Sequence, residues 1–259
     1  MAMRQPRTAT IREYFLPLLG IGVIALVWEC AHRAGIVEPT LLPSIAVVTR
    51  AFVKLITSGN ILPDMGMTLG RTLCGFGMAV IIGIPLGICM GMFQPVYRCV
   101  LPLVDFFRSI PVTTLYPVFV LLLGVRDKSK IGMIFTGCVF IVMLNSAYGV
   151  LQSRLIRRQM ANLYGCSGFK LVRWITLYEA LPQTLIGLRI ALSLALIVAV
   201  LGEMFMGCEQ GLGQRLTDAY TTFSVDRMYA IVILTGLLGY LLNRIFVRIE
   251  KALVPWAGT

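Results

Sequence analysis

Apolar residues gather in six long runs, at 15–31, 66–92, 106–125, 131–151, 183–201 and 228–247, separated by shorter polar segments. Each run is long enough to cross ~30 Å of hydrocarbon as a helix, which takes ~17–25 residues. Their few charges, Glu29, Arg71, Arg108, Arg189 and Arg244, sit near the run ends, and the fourth run has none. Backbone groups in lipid must pair within the segment, so runs this continuous predict helices and lack the alternation of a membrane barrel. The expected fold class is an all-α polytopic membrane protein with six transmembrane helices. The basic start (Arg4, Arg7, Arg12) has the look of a secretory signal, but the 30–34 stretch Cys-Ala-His-Arg-Ala is a poor cleavage site, so the first run is read as a retained span.

The segments between the runs carry their own patterns. In 44–59, Ile45, Val48, Phe52, Leu55 and Ile56 share one helical face and Thr49, Arg50 and Lys54 the other, which predicts a surface helix on the outer leaflet or over the bundle, closed by Gly59. In the second run Gly83, Gly87 and Gly91 recur every fourth residue, a spacing that lets helices approach closely. Gly75 and Gly77 are read as lying off that row. Pro85, Pro111 and Pro117 mark expected kinks or broken helices.

Composition sharpens this picture. With 58% hydrophobic and 14% charged residues among 259, the chain has too little polar surface for a soluble globule, and disorder is excluded. The net charge of +11 comes from cations placed mainly between apolar runs, which fits headgroup contact and topology, not nucleic acid. With the N-terminus inside, 14 lysines and arginines fall on the inner side against 9 outside, so both termini are expected in the cytoplasm. The seven cysteines form no CxxC pair and lie mostly in or beside apolar runs, so they read as packing residues, not as a disulfide framework or metal cluster. His32, the single histidine, has no ligand partner at useful spacing.

The stretch 152–182 is the least membrane-like of the inner segments. Leu155, Ile156, Gln159 and Leu163 share one helical face, with Arg154, Arg157 and Arg158 on another. Gly165 breaks the pattern, Ser167 is placed to cap a second short helix reaching about Leu177, and Pro182 fits the first turn of the fifth span. Such a rigid amphipathic knob suits either a groove on a soluble partner or a headgroup surface.

The stretch reads Ala161-Asn162-Leu163-Tyr164-Gly165-Cys166-Ser167, nine residues, then Leu177-Tyr178-Glu179-Ala180-Leu181-Pro182. It resembles the EAA loop of permease subunits of bacterial ABC importers. Ala161, Gly165, Ile175 and Leu177 match that pattern by position, while Gln159, Met160 and Tyr178 replace the usual Glu, Ala and Pro. Leu42-Pro43-Ser44, Arg108-Ser109-Ile110-Pro111, Tyr116-Pro117, Asn145, Gly202-Glu203-Met204, Gly211-Leu212-Gly213 and Trp256 are similar to the nitrate/sulfonate/taurine/bicarbonate branch, and Asn243 stands where Asp is frequent. The resemblance spans nearly all of residues 12–256.

It implies the type I ABC importer permease fold and a non-catalytic transport role, with two permease subunits, two cytoplasmic ATPase subunits and a periplasmic or lipid-anchored solute-binding protein. No Gly-x-x-x-x-Gly-Lys-Ser/Thr loop occurs, so ATP is expected on the partner and no cofactor on this chain. The implied organisation is a tail at 1–14, the first span and surface helix at 15–62, a five-span core at 63–250 containing the 152–182 coupling loop, and a tail at 251–259, in a bacterial inner membrane. Ala161, Leu163, Gly165, Cys166, Ser167, Leu177, Glu179, Leu181 and Pro182 form the implied ATPase contact. Glu179 is either a solvated helix-end charge or a partner for an arginine. Intramembrane polar groups nominate the translocation path: Asn145, then Thr113, Thr114, Tyr116 and Arg71. Helix–helix hydrogen bonding is the alternative for Asn145, and snorkelling to headgroups or attraction of an anionic substrate are the two readings of Arg71. Asp105 and Arg108 read as a local ion pair. Glu203 reads as structural or as a contact for the binding protein. A homodimer is the simplest assembly. The competing class is a self-sufficient secondary transporter or channel, disfavoured by the lack of similarity between 15–125 and 131–247. A membrane-embedded enzyme has no convergent catalytic residues to draw on.

Overall fold

The computed structural model describes residues 11–152, 163, 170 and 175–256, with side chains placed from Leu19 onward. Among these residues every regular element is helical. In chain order they are α1 (Ile11–Arg33), α2 (Ile45–Thr57), α3 (Ile61–Met92), α4 (Gln94–Ser109), a 3₁₀ turn (Val112–Leu115), α5 (Tyr116–Leu123), α6 (Asp127–Leu151), α7 (Leu177–Met206), α8 (Leu212–Thr221) and α9 (Val225–Leu253). Four of them, α3, α6, α7 and α9, are long and apolar enough to cross a membrane, and the bent α4–α5 pair makes a fifth. At 23 residues α1 has the length for a sixth.

The expected third span, 106–125, is not one helix. Its first residues finish α4, and the chain turns by 84° before α5. Pro111 sits at the break and Pro117 in the first turn of α5, where a missing N–H costs no helical bond. Pro85, by contrast, is carried inside an unbroken α3. The fifth span also starts earlier than expected: α7 is already helical at Leu177 and runs through Pro182, so this proline lies inside the helix and not in a first turn after a break.

α3, α6 and α7 form the centre. Gly83 and Gly91 of α3 lie against Val139–Val142 and Ala147–Val150 of α6, so these two helices run parallel. A Cβ on Gly91 would stand 2.6 Å from Val150, and one on Gly75 2.6 Å from Ile134. Gly75 therefore belongs to the same four-residue row as Gly83, continued through the buried Ala79, whereas Gly77, like Gly66 and Gly70, faces open space. Thirty-two residues of α3 thus present one narrow seam along which α6 packs at van der Waals distance. α7 runs antiparallel to both, with Gly187 against Asn145 and Gly149 against Ala180. The main apolar cluster lies between α6 and α7 and includes Met133, Val142, Ala191 and Ala195.

The parallel α3 and α6 require the α4–α5 pair to return across the layer between them. With α7 antiparallel to α6 and α9, the beginning of α1, the end of α6, the start of α7 and the end of α9 fall at one end of the bundle. The starts of α3 and α6, the end of α7 and all of α8 fall at the other.

Surface helix α2 rests its buried Val48 and half-buried Phe52 and Leu55 over the bundle, the latter two against Ile61 and Leu234. Ile56, expected on that face, is exposed. Gly59 closes the helix at φ +70°, a left-handed conformation that glycine adopts without strain. The cysteines depart from expectation: of the six among the described residues only Cys138 is buried, while Cys30, Cys74, Cys89 and Cys99 face outward.

Candidate functional site

At the end of the bundle remote from the start of α7, polar residues converge from four helices. Asp64, Thr68, Arg71 and Thr72 lie on one face of α3 and are all buried. They meet Glu203, the fully buried carboxylate near the end of α7. Arg71 Nη1 donates to Glu203 Oε1 at 2.6 Å and to the Gln210 carbonyl at 2.8 Å, and its Nε donates to Asp127 Oδ1 at 2.8 Å. Thr68 Oγ1 donates to Glu203 Oε2 at 2.9 Å.

The same groups cap α8. A helix begins with N–H groups that have no intrahelical acceptor, and its positive end favours negative charge. Here the Gly211 N–H donates to Asp64 Oδ1, the Leu212 N–H to Thr68 Oγ1 and the Gly213 N–H to Glu203 Oε2, each at 2.9 Å. Gly211 has φ +153°, and a Cβ there would stand 2.6 Å from the Glu203 carboxyl. Arg215 Nε completes the set by donating to Asp64 Oδ2 at 2.7 Å. That bond with Asp64 holds the Arg215 guanidinium above its already high ordinary pKa. Cys208, between α7 and α8, has its thiol pushed up by burial, so it stays protonated.

Arg71 accordingly neither snorkels nor stands free for a passing anion: three acceptors hold it, and its side chain is 5% exposed. Glu203 is structural, since a fully buried carboxylate presents nothing to a docking protein. Beside this cluster opens a cleft of about 650 Å³ whose charged lining is Lys54, Asp64, Arg215, Asp226 and Arg227.

The other path candidates divide. Thr113, Thr114 and Tyr116 come together at the α4–α5 break. The two threonines are exposed, Thr114 Oγ1 donates to the Pro111 carbonyl at 2.7 Å, and Tyr116 is half-buried with its ring 6.4 Å from that of Phe205. Asn145 lies elsewhere, two turns along α6 from the Gly137–Val112 contact with the break. Its Nδ2 donates to the Ile141 carbonyl at 2.9 Å and its Oδ1 accepts from Gln183 Nε2 at 3.0 Å, a bridge between α6 and α7. Asp105 and Arg108 form the expected exposed pair at 2.8 Å.

Of the loop residues, Ala161, Gly165, Cys166 and Ser167 lie outside the described residues. Leu163 is helical and 86% exposed. Leu177 and Glu179 stand in the first turn of α7, followed by the half-buried Leu181 and Pro182.

A family model described as the binding-protein-dependent transport system inner membrane component matches residues 79–257. The chain belongs to this family. It is therefore a membrane-embedded permease subunit of an ABC importer, a transport component and not an enzyme, whose partners are an ATPase and a solute-binding protein. Among curated relatives of this permease, the putative aliphatic sulfonates transport permease protein SsuC of Bacillus subtilis is 26% identical over 242 residues, 93% of this chain and 87% of that protein. The taurine transport system permease protein TauC of Escherichia coli is 26% identical over 255 residues, covering 95% and 91%. The formylaminopyrimidine transport permease protein ThiX of Halalkalibacterium halodurans is 30% identical over 240 residues, covering 93% and 95%. A chain of the inward-facing MetNI methionine ABC transporter superposes with a TM-score of 0.67 at 22% identity, over 76% of this permease and 97% of that chain, a likeness of fold.

The buried charge cluster was the part missed by reading the sequence. Its signal was present: Asp64, Thr68, Arg71 and Thr72 recur at i, i+4, i+7 and i+8, a polar stripe with helical period inside an apolar span.

Proposed function

We propose that this permease subunit imports a small anion, such as an alkanesulfonate, taurine, nitrate or bicarbonate. The observation that carries the reading is the pair of sulfonate and taurine permeases among its relatives, each matched over most of both chains. The end bearing both termini and the 152–182 loop faces the cytoplasm, in keeping with the excess of lysine and arginine there. At that end Ala161, Leu163, Gly165, Cys166, Ser167, Leu177, Glu179, Leu181 and Pro182 contact the ATPase, and nucleotide-driven closure rocks the spans. The opposite end receives the solute-binding protein, and the charged cleft beside Arg215 and Arg227 offers it a polar docking surface. Two copies of the chain enclose the path, with Thr113, Thr114 and Tyr116 along it and Asn145 nearby; Arg71 serves as scaffold.

The ThiX relative supports a second reading, a formylaminopyrimidine-type heterocycle as cargo. Thermal shifts of the partner binding protein with alkanesulfonates, taurine, nitrate, bicarbonate and a formylaminopyrimidine separate the two. Stabilisation by one of the anions alone supports the first reading, and stabilisation by the heterocycle alone overturns it. The loop assignment is tested by Gly165→Asp, which is expected to leave the protein inserted while ATP hydrolysis proceeds without uptake. Normal uptake by that variant would remove the assignment.

A further inference from the structure

Residues 254–256, which follow α9, pack back against the bundle. Val254 is 5% exposed and belongs to the main apolar cluster, and its N–H donates to the Glu250 carbonyl at 3.0 Å. Two residues on, Trp256 stacks on Tyr178 with ring centroids 4.9 Å apart and planes inclined by 27°. Tyr178 is the residue that stands where proline is usual in the loop pattern, and it directly follows Leu177, where α7 leaves the loop. A second link joins the same two helices: Arg189 of α7 faces Glu250 of α9 at 3.7 Å. On the other flank, Ala180 presses on α6, since a Cβ on Gly149 would stand 2.6 Å from its carbonyl oxygen. The first turns of α7 are thus held between α6 on one side and the C-terminal segment on the other.

We propose that residues 254–256 form a strut that sets the exit of the 152–176 loop, with Trp256 a positioning residue for ATP-driven transport. This rests on the reading of that loop as the ATPase contact. A loop displaced by its partner passes its motion to α7 through Leu177 and Tyr178. The Trp256 stack makes α9 share that displacement, so two spans tilt together. Both rings remain half exposed, 52% for Tyr178 and 49% for Trp256, so the stack lies at the edge of the fold beside the loop exit.

The test uses the permease assembled with its ATPase subunits in lipid nanodiscs, with hydrolysis normalised to intact complex counted by size exclusion. Trp256→Ala is expected to lower the maximal rate about 2- to 10-fold, the range a stacked aromatic pair supports, with an unchanged KM for ATP. Trp256→Phe is expected to restore the rate to within about twofold, because it keeps the stack. Tyr178→Ala should lose as much as Trp256→Ala, and the double variant no more than either, since both remove one contact. An unchanged maximal rate in Trp256→Ala, or losses that multiply in the double variant, overturns the strut. Should Trp256→Ala fail to assemble, Trp256→Leu and Tyr178→Leu carry the same comparison with bulk retained. If the unaltered chain binds no ATPase subunit, the loop reading fails and takes the strut with it. If it binds and hydrolyses but the Trp256 variants match it, the strut alone is lost.

Discussion

The two ends of the α3–α6–α7 bundle are joined by different physics. At the Glu203 end, Arg71, Asp64, Thr68 and Arg215 make directional, charge-assisted bonds to partners on α6, α7 and α8. At the loop end the contacts are mainly steric, Gly91 on Val150, Gly149 on Ala180 and the Tyr178–Trp256 stack, and the polar links further along α7, Gln183 to Asn145 and Arg189 to Glu250, are single and less buried. Hydrogen bonds to buried ions tolerate little displacement, because breaking one leaves an unpaired charge in a medium of low dielectric. Small-residue contacts resist interpenetration but allow sliding along the seam. On the proposed reading of 152–182 as the ATPase contact, the Glu203 end acts as a fixed joint and the loop end as the place where shear enters.

Three substitutions sharpen that contrast. The largest effect is expected from Glu203→Ala, which removes the buried counter-ion of Arg71, leaves it only the half-exposed Asp127 and the Gln210 carbonyl, strands the Gly213 N–H, and should destabilise the fold by about 3–5 kcal/mol, the cost of breaking a buried pair. A thermal unfolding midpoint in detergent reads it, and a wild-type midpoint would show that the charges do not hold this end. Gly149→Ala comes next. Pressing a methyl group into the Ala180 carbonyl should cost about 1–3 kcal/mol as overpacking. Here the discriminating measurement is hydrolysis in the assembled complex, which should fall further than stability does; equal losses would erase the distinction between the two ends. The smallest effect is expected for Asn145→Ala, about 0.6 kcal/mol and at most ~1.7, typical of a single interhelical hydrogen bond in a membrane. Denaturant titration of the detergent-solubilised chain measures it. A much larger transport defect than stability loss would return Asn145 to the path.

Much of this architecture was readable in advance, for reasons particular residues make plain. Uninterrupted apolar runs gave the spans, because lipid allows little else. The Gly83–Gly87–Gly91 row announced a close helix contact, and counting back by fours through Ala79 reaches Gly75 as well. Pro111 announced a break, but no local rule gives its 84° angle, which depends on how α5 packs against α6. Taken alone, Arg71 reads as a cation that snorkels to headgroups or attracts an anionic substrate; its acceptors lie 56, 132 and 139 residues away, beyond the reach of any local pattern. Glu203 was visible as part of a motif, yet its burial follows only from α8 folding back over it.

The separation of Arg71 from Glu203 also bears on biogenesis. Glu203 follows Arg71 by 132 positions, an interval that includes all of α4, α5 and α6. When α3 first leaves the ribosome, the native partners of its Arg71 and Asp64, namely Asp127, Glu203 and Arg215, are not yet synthesised. Unpaired charges in or near hydrocarbon are costly, so this end of α3 gains its counter-ions in two steps, Asp127 with α6 and then Glu203 with α7. The last-made third of the chain thus supplies the buried carboxylate that completes the polar end of the second hydrophobic segment.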